Sequence, residues 1–265
     1  MKALTIVIAL TLSATAAYAD TLRIGVTPGA LADSVIVAAE EAKQLGIDVE
    51  VVEFSDWTTP NLALANGDLD ANYFQHQAFL DNAVEERGYP IESIAFGILP
   101  NVGLYSQRIE SLDDLQDGAR VAVASDPVNQ GRGLQLLQSA GLIELDPNAG
   151  AKANLDSVIT NPKALRLIEI EGPQLVRAIN DVDLAQGYPS HIVAAEAFDP
   201  GSALLFSGLE DEYYAIRFVA HHDNTGNEKL LEFIDLYQHS PAVREQIHRS
   251  NANDDRLYSL PWLNH

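Results

Sequence analysis

Short apolar runs alternate along this chain with longer mixed stretches bounded by capping residues, glycine and proline. Leu22 to Val26 and Val49 to Phe54 read as buried strands. Between them a helix is predicted from about Ala30 to Leu45, stopped by Gly46, which makes a parallel βαβ unit. Leu69 and Ala71 read as a short buried strand, and Gln77 to Arg87 as a helix closed by Gly88. Further along come a strand at Arg120 to Ala124, a helix after Pro127 ending near Gly141, a strand at Leu167 to Ile170 and a helix from Pro173 to Asn180. Leu145 to Asn154 reads as a loop. Tyr213 to Val219 reads as a strand feeding the final helices, and Ser240-Pro241 as a cap and first turn of a helix to about His248. Strands and helices in this order predict a doubly wound α/β fold. No internal repeat or low-complexity tract is visible.

The breaks in the pattern suggest two lobes. Phe96 to Tyr105 contains Gly97, Pro100 and Gly103, which predicts an irregular extended segment. Ser111 and Asp114 form a capping-box-like start for a short helix. A first crossing between lobes is expected near Ser106 to Ile109 and the return near Ala203 to Gly208. Residues 20–107 with 206–265 would then form one lobe and 108–205 the other. Two crossings make a hinge that can close over a ligand.

Two segments carry candidate chemistry. The run Asp70-Ala-Asn-Tyr-Phe-Gln-His76 puts two aromatic rings and an imidazole at a strand's carboxyl end, the edge where small ligands sit in open α/β sheets. Alone, Tyr73 and Phe74 read better as ordinary core aromatics and His76 as a satisfied surface histidine; the second segment changes that balance. The second segment, Asp126-Pro-Val-Asn-Gln-Gly-Arg132, opens a helix. Asp126 can cap it, Pro127 fits the first helical position, and the unpaired backbone donors there attract an anion. Arg132 adds a planar fork that matches a carboxylate. An aromatic wall and an anion clamp together suggest a small amphipathic acid as ligand.

These segments, with Phe54-Ser-Asp-Trp57, Pro60-Asn61, Gly103-Leu-Tyr-Ser106, Ser111-Leu-Asp-Asp-Leu115, Asn161-Pro162 and Pro173-Gln-Leu175, extend over most of the chain. In them the chain resembles the methionine-binding proteins of the NlpA lipoprotein family, receptors of ABC importers. The resemblance implies a two-lobed, type II periplasmic-binding-protein-like α/β fold with the ligand cleft between lobes, no catalysis and no cofactor. It also implies a ligand carboxylate held by Arg132, with Tyr73, Phe74 and His76 lining the cleft. Trp57 and Asn129 stand in matching segments and are candidate ligand residues too. The implied partners are a small carboxylate, methionine first, and an inner-membrane ABC permease, with the receptor acting as a monomer. After Val182-Asp-Leu-Ala185 the chain departs from the family: Gln186-Gly-Tyr-Pro-Ser-His191 puts Tyr188 near where an asparagine is expected. Asn101 stands where an apolar residue is usual. Tyr188, Asn101 and His191 are therefore candidates for a changed ligand preference.

Composition narrows the choice. At 265 residues and 47% hydrophobic the chain can bury a sizeable core. A formal charge of −22 disfavours nucleic acid and anionic membrane surfaces as partners. Lys2, the apolar stretch Ala3 to Ala16 and Ala17-Tyr-Ala19 read as a targeting segment, so the mature chain is expected to begin at Asp20 in the periplasm. No cysteine occurs, so neither disulfides nor a lipid anchor on cysteine is expected. His221-His222-Asp223 could suggest a metal, and Asp68 with Asp70 a pair of acids, but surface polarity and a turn are the plainer readings. Motifs for hydrolases, zinc proteases, phosphate loops and dinucleotide binding are absent. The alternatives to a methionine receptor are a receptor for another small organic or organosulfur anion and a secreted enzyme with a remodelled cleft.

Overall fold

The computed structural model describes residues 21–264, so the expected targeting segment lies outside the described residues. The chain begins β1 (Leu22–Val26), α1 (Ala30–Ala42), β2 (Val49–Glu53), α2 (Thr59–Ala65), β3 (Ala71–His76), α3 (Gln77–Arg87) and β4 (Ile91–Phe96). It continues with β5 (Leu99–Pro100), β6 (Gly103–Tyr105), β7 (Arg120–Ala124), α4 (Pro127–Ser139), β8 (Glu144–Leu145), β9 (Val158–Thr160), β10 (Arg166–Ile170), α5 (Leu175–Ala178) and β11 (Leu184–Gly187). It ends with α6 (Pro189–Ala194), β12 (Leu205–Phe206), β13 (Ile216–His221), α7 (Glu228–His239), α8 (Pro241–Ser250) and β14 (Tyr258–Ser259).

Two five-stranded sheets organise the lobes. The first has the order β2-β1-β3-β13-β4 and the second β10-β7-β11-β6-β12. In each, three neighbouring strands are parallel, as βαβ crossovers require, and the return strands β13 and β6 run antiparallel. Leu22, Ile24 and Val26 of β1 are buried on one side of the first sheet, where the Ala-rich face of α1 packs. α1 ends in a short 3-10 turn, and Gly46 follows at φ +78°, a conformation that favours glycine. In the second lobe nine residues of α4 are buried, and Leu134 and Leu137 join Tyr105, Val121 and Leu184 in the core.

Several boundaries differ from the sequence reading. β3 runs through the aromatic segment itself and is buried along its whole length, so Tyr73 to His76 are strand residues. The first crossing does not fall at 106–109. β5 pairs with β14, whereas β6 pairs with β11 and β12 in the second sheet, so the chain changes lobes between Pro100 and Gly103. β12 belongs to the second sheet as well, which places the return just after Phe206. Tyr213 lies in a 3-10 turn before β13, and Pro189 opens α6. The expected loop at 145–154 includes the end of β8 and a 3-10 turn at Gly150–Lys152.

Asn101 sits at the crossing. Its Oδ1 accepts from the Val102 N–H (3.0 Å), the Ser207 hydroxyl (3.0 Å) and the Gly208 N–H (3.1 Å), while Nδ2 donates to the Arg256 carbonyl (2.9 Å). One side chain thus ties both connecting segments together, and it is not on the cleft wall expected for it.

Candidate ligand-binding site

A cavity with about 670 Å³ of empty space, part of it open to solvent, lies between the lobes. Its walls are mainly apolar and aromatic. Phe74, Phe79 and Ile98 come from the first lobe, Tyr188 and His191 from the second, and Trp57 reaches across. The Trp57 ring stands edge-on to Tyr188 at 5.7 Å between centroids and 6.0 Å from His191. Gly172 leaves the space for it, since a Cβ there would lie 1.9 Å from the indole.

An irregularity falls in β3 after Tyr73. Tyr73 pairs with Phe218 and His76 with Ile216, so three steps on β3 oppose two on β13. Such an extra residue re-aims the side chains beyond it. Tyr73 points into the first-lobe core, stacked on Phe218 at 4.2 Å, with its hydroxyl accepting from the Ile98 N–H (3.0 Å) and from Tyr237 (2.9 Å). It does not line the cavity, contrary to expectation, whereas Phe74 and His76 do. Gln75 turns back to a buried amide cluster with Asn61 and Asn72.

His76 ends β3 and caps α3. Its Nδ1 accepts from the Phe79 N–H (3.1 Å), so in the neutral ring the hydrogen is on Nε2, which donates to Asn129 Oδ1 (3.2 Å) across the cleft. Burial pushes this imidazole down to about 3, and the Arg132 charge pushes the same way. Asn129 is oriented by the cap of its own helix, because Asp126 Oδ1 accepts from both its backbone N–H (2.9 Å) and its amide Nδ2 (3.1 Å). Asn129 Oδ1 is thereby turned toward His76 and also accepts from the Tyr188 hydroxyl (2.9 Å). Gln186 completes the network, donating from Nε2 to the Asn129 carbonyl (3.0 Å) and to the Tyr188 oxygen (3.1 Å). Burial alone lowers His191 to about 4.

Arg132 is the exception to this pairing. It is 6% exposed, and Nη2 makes only long contacts to the Pro100 carbonyl (3.3 Å) and Ser207 (3.5 Å). The guanidinium carbon lies 4.5 Å from the centre of the Tyr214 ring, a cation–π contact. Nη1 is buried with no hydrogen-bond partner. No carboxylate comes within ion-pair distance of it among the described residues, and burial lowers its proton affinity. A buried cation left in this state favours an anion that completes its hydrogen bonds.

The structure therefore brings Trp57, Phe74, His76, Asn129, Arg132, Tyr188 and His191 to one cavity and leaves Tyr73 and Asn101 off it. Sequence reasoning missed Pro100, Ser207 and Tyr214 around Arg132, which lie far from it along the chain. His221, His222 and Asp223 lie at the end of β13 and the turn after it, where His221 Nδ1 accepts from the Asp223 N–H (3.1 Å). Among the described residues no cluster of three His, Cys, Asp or Glu side chains could hold a metal, and no helix is long and apolar enough to cross a membrane.

Comparison with known proteins bears on the fold and the family. The D-methionine-binding lipoprotein MetQ of Escherichia coli O157:H7 is 38% identical over 219 residues, covering 82% of this chain and 81% of that protein. A nutrient-binding protein from Burkholderia cenocepacia, solved bound to methionine, superposes with a TM-score of 0.83 at 35% identity, over 88% of this chain and 97% of the other. An ABC transporter periplasmic substrate-binding protein from Coxiella burnetii gives 0.82 at 35% identity, over 88% and 98%. The word lipoprotein in the MetQ name stands against the expectation of an unanchored protein, which rested on the missing cysteine. With the NlpA lipoprotein family model matching residues 22–257, the chain belongs to the NlpA lipoprotein family.

Proposed function

We propose that this protein is the periplasmic substrate-binding component of an ABC importer, that it captures methionine or a closely related small carboxylate between its lobes, and that it hands this ligand to an inner-membrane permease as a monomer. The observation that carries the reading is Arg132, a buried guanidinium with one nitrogen unpartnered at an otherwise mainly apolar cavity. The relatives support it, being named for methionine binding or for periplasmic substrate binding. The carboxylate completes the guanidinium's hydrogen bonds, and Phe74, Phe79 and Trp57 surround the less polar end, where aromatic rings suit a thioether. None of these side chains forms a nucleophile–base pair, so the ligand is held and released unchanged.

Titration calorimetry with L-methionine tests the proposal. The wild type binds, and Arg132→Ala loses roughly 2–5 kcal/mol, the range for breaking a desolvated charge pair, while its circular dichroism is unchanged. An Arg132→Ala variant that binds within a few-fold of wild type removes the carboxylate clamp from the reading. Mass spectrometry after incubation with a metabolite mixture recovers an unaltered ligand, and turnover of any component points to an enzyme instead.

A further inference from the structure

The cavity between the lobes adjoins two other pockets. Thr27, Trp57 and His191 line both the cavity and a second pocket, which has about 810 Å³ of empty space partly open to solvent. Arg132 lines both the cavity and a third pocket. Among the described residues the second and third pockets share no lining residue, so Trp57 and Arg132 border the cavity on different sides. A ligand held by its carboxylate at Arg132 extends away from that clamp as its apolar end grows.

Trp57 is the largest of the three side chains shared with the second pocket, and it is held from both lobes. In the first lobe the backbone beside it is pinned, because Asp56 Oδ1 accepts from the Thr58 and Thr59 N–H groups, both at 2.8 Å. In the second lobe the indole meets Tyr188 and His191. Its six-membered ring lies over the backbone of Gly172, in the turn after β10, where any Cβ would overlap it. A glycine at this buried position allows the close approach. Beyond the ring, Phe54, Pro173, Val176 and Ala194 offer the second pocket apolar surface that a longer chain could cover.

We propose that Trp57, seated on Gly172, sets the length of ligand that the cleft accepts. The ring partitions the cavity from the second pocket and excludes apolar chains that reach past it. The inference rests on the receptor reading and names a residue that determines its specificity.

Calorimetry with L-methionine and S-butyl-L-homocysteine, which carries three more methylenes beyond the sulfur, measures the limit. On the wild type the longer acid binds weaker by roughly tenfold or more, the scale on which a filled pocket resolves added methylenes. Trp57→Ala joins the cavity to the second pocket and shifts the affinity ratio toward the longer acid by roughly tenfold or more. Trp57→Leu, which keeps an apolar side chain and protects the fold, shifts it the same way by about threefold or more. Phe74→Ala is the control, since Phe74 lines the cavity but not the second pocket, and it leaves the ratio unmoved. Equal binding of both acids by the wild type overturns the inference. So does a ratio that neither Trp57 variant moves, or that Phe74→Ala moves as far; in each case the receptor stands. Loss of both acids by both Trp57 variants, with unchanged circular dichroism, makes the ring a general contact and also overturns the length limit. Binding of neither acid by the wild type overturns the methionine reading together with the inference.

Discussion

The end of β3 and the first turns of α4 each bring a basic side chain to the same cavity and treat it in opposite ways. His76 has both ring nitrogens engaged, one on the Phe79 N–H that starts α3 and one on Asn129 across the cleft. It is part of how the wall is built. Arg132 is buried just as deeply but has Nη1 unpartnered and its other contacts long. A satisfied buried group contributes to the fold, whereas an unsatisfied one stores a cost that a ligand can relieve. Substitutions on the β3 side should therefore act mainly on stability, and those at Arg132 mainly on binding.

The largest effect is expected on the β3 side. Tyr73 is fully buried against Phe218 and Tyr237, so Tyr73→Ala should cost about 3–5 kcal/mol in denaturant unfolding, the range for removing a core aromatic. Phe74→Ala costs less, because one side of that ring already faces the cavity. Equal costs would show that both rings are core and blur the distinction between the two strand faces. At α4 the pattern reverses: Arg132→Ala loses the 2–5 kcal/mol of binding but changes the unfolding free energy of the ligand-free protein by less than about 1 kcal/mol, since the removed charge was uncompensated. Severe destabilisation there would mean that the guanidinium holds the lobe together.

Acid sharpens the contrast. His76 and His191 are held neutral in the fold, at about 3 and about 4, against about 6.5 in an unfolded chain. Below that unfolded value the unfolded chain binds more protons, so the stability they confer is full above pH about 6.5 and falls as pH drops toward the folded values. Each contributes a slope of about 1.4 kcal/mol per pH unit in that window. Between pH 6.5 and 5, above the range where most carboxylates titrate, His76→Gln should remove about half of the slope from these two groups. An unchanged slope would contradict the neutral, capping state assigned to His76.

Much of this was legible along the chain because it is local. β1, α1 and β2, the Asp126 cap and the start of α4 each follow from residues a few positions apart. The direction of Tyr73 was not, because the rings it packs on, Phe218 and Tyr237, lie far along the chain from it. Asn101 was misplaced for the same reason, its partners being Ser207, Gly208 and Arg256. The short β6 and β12 carry too few residues to announce which sheet they join. Arg132 could be proposed as an anion clamp from its place in a capped helix, but its surroundings depend on Pro100, Ser207 and Tyr214 arriving from two other segments.

A smaller effect is expected where the two regions meet. Tyr188 donates to Asn129 Oδ1 and accepts from Gln186, but neither partner depends on it alone. Asn129 keeps the His76 Nε2–H, and Gln186 Nε2 keeps the Asn129 carbonyl. Removing only the hydroxyl leaves the ring against Trp57 and His191, so no large cavity opens, but one Gln186 Nε2 hydrogen loses its acceptor. Tyr188→Phe should then cost about 1–3 kcal/mol of stability, the range for leaving one buried donor unpaired. Chemical unfolding of the ligand-free variant measures this directly. A cost near zero would mean that the Tyr188 hydroxyl is as free as Arg132 Nη1 and available to a ligand, and a cost several times larger would make it the centre of the cross-lobe network. The intermediate value is the one that assigns Tyr188 to the satisfied wall while leaving Arg132 as the group the ligand completes.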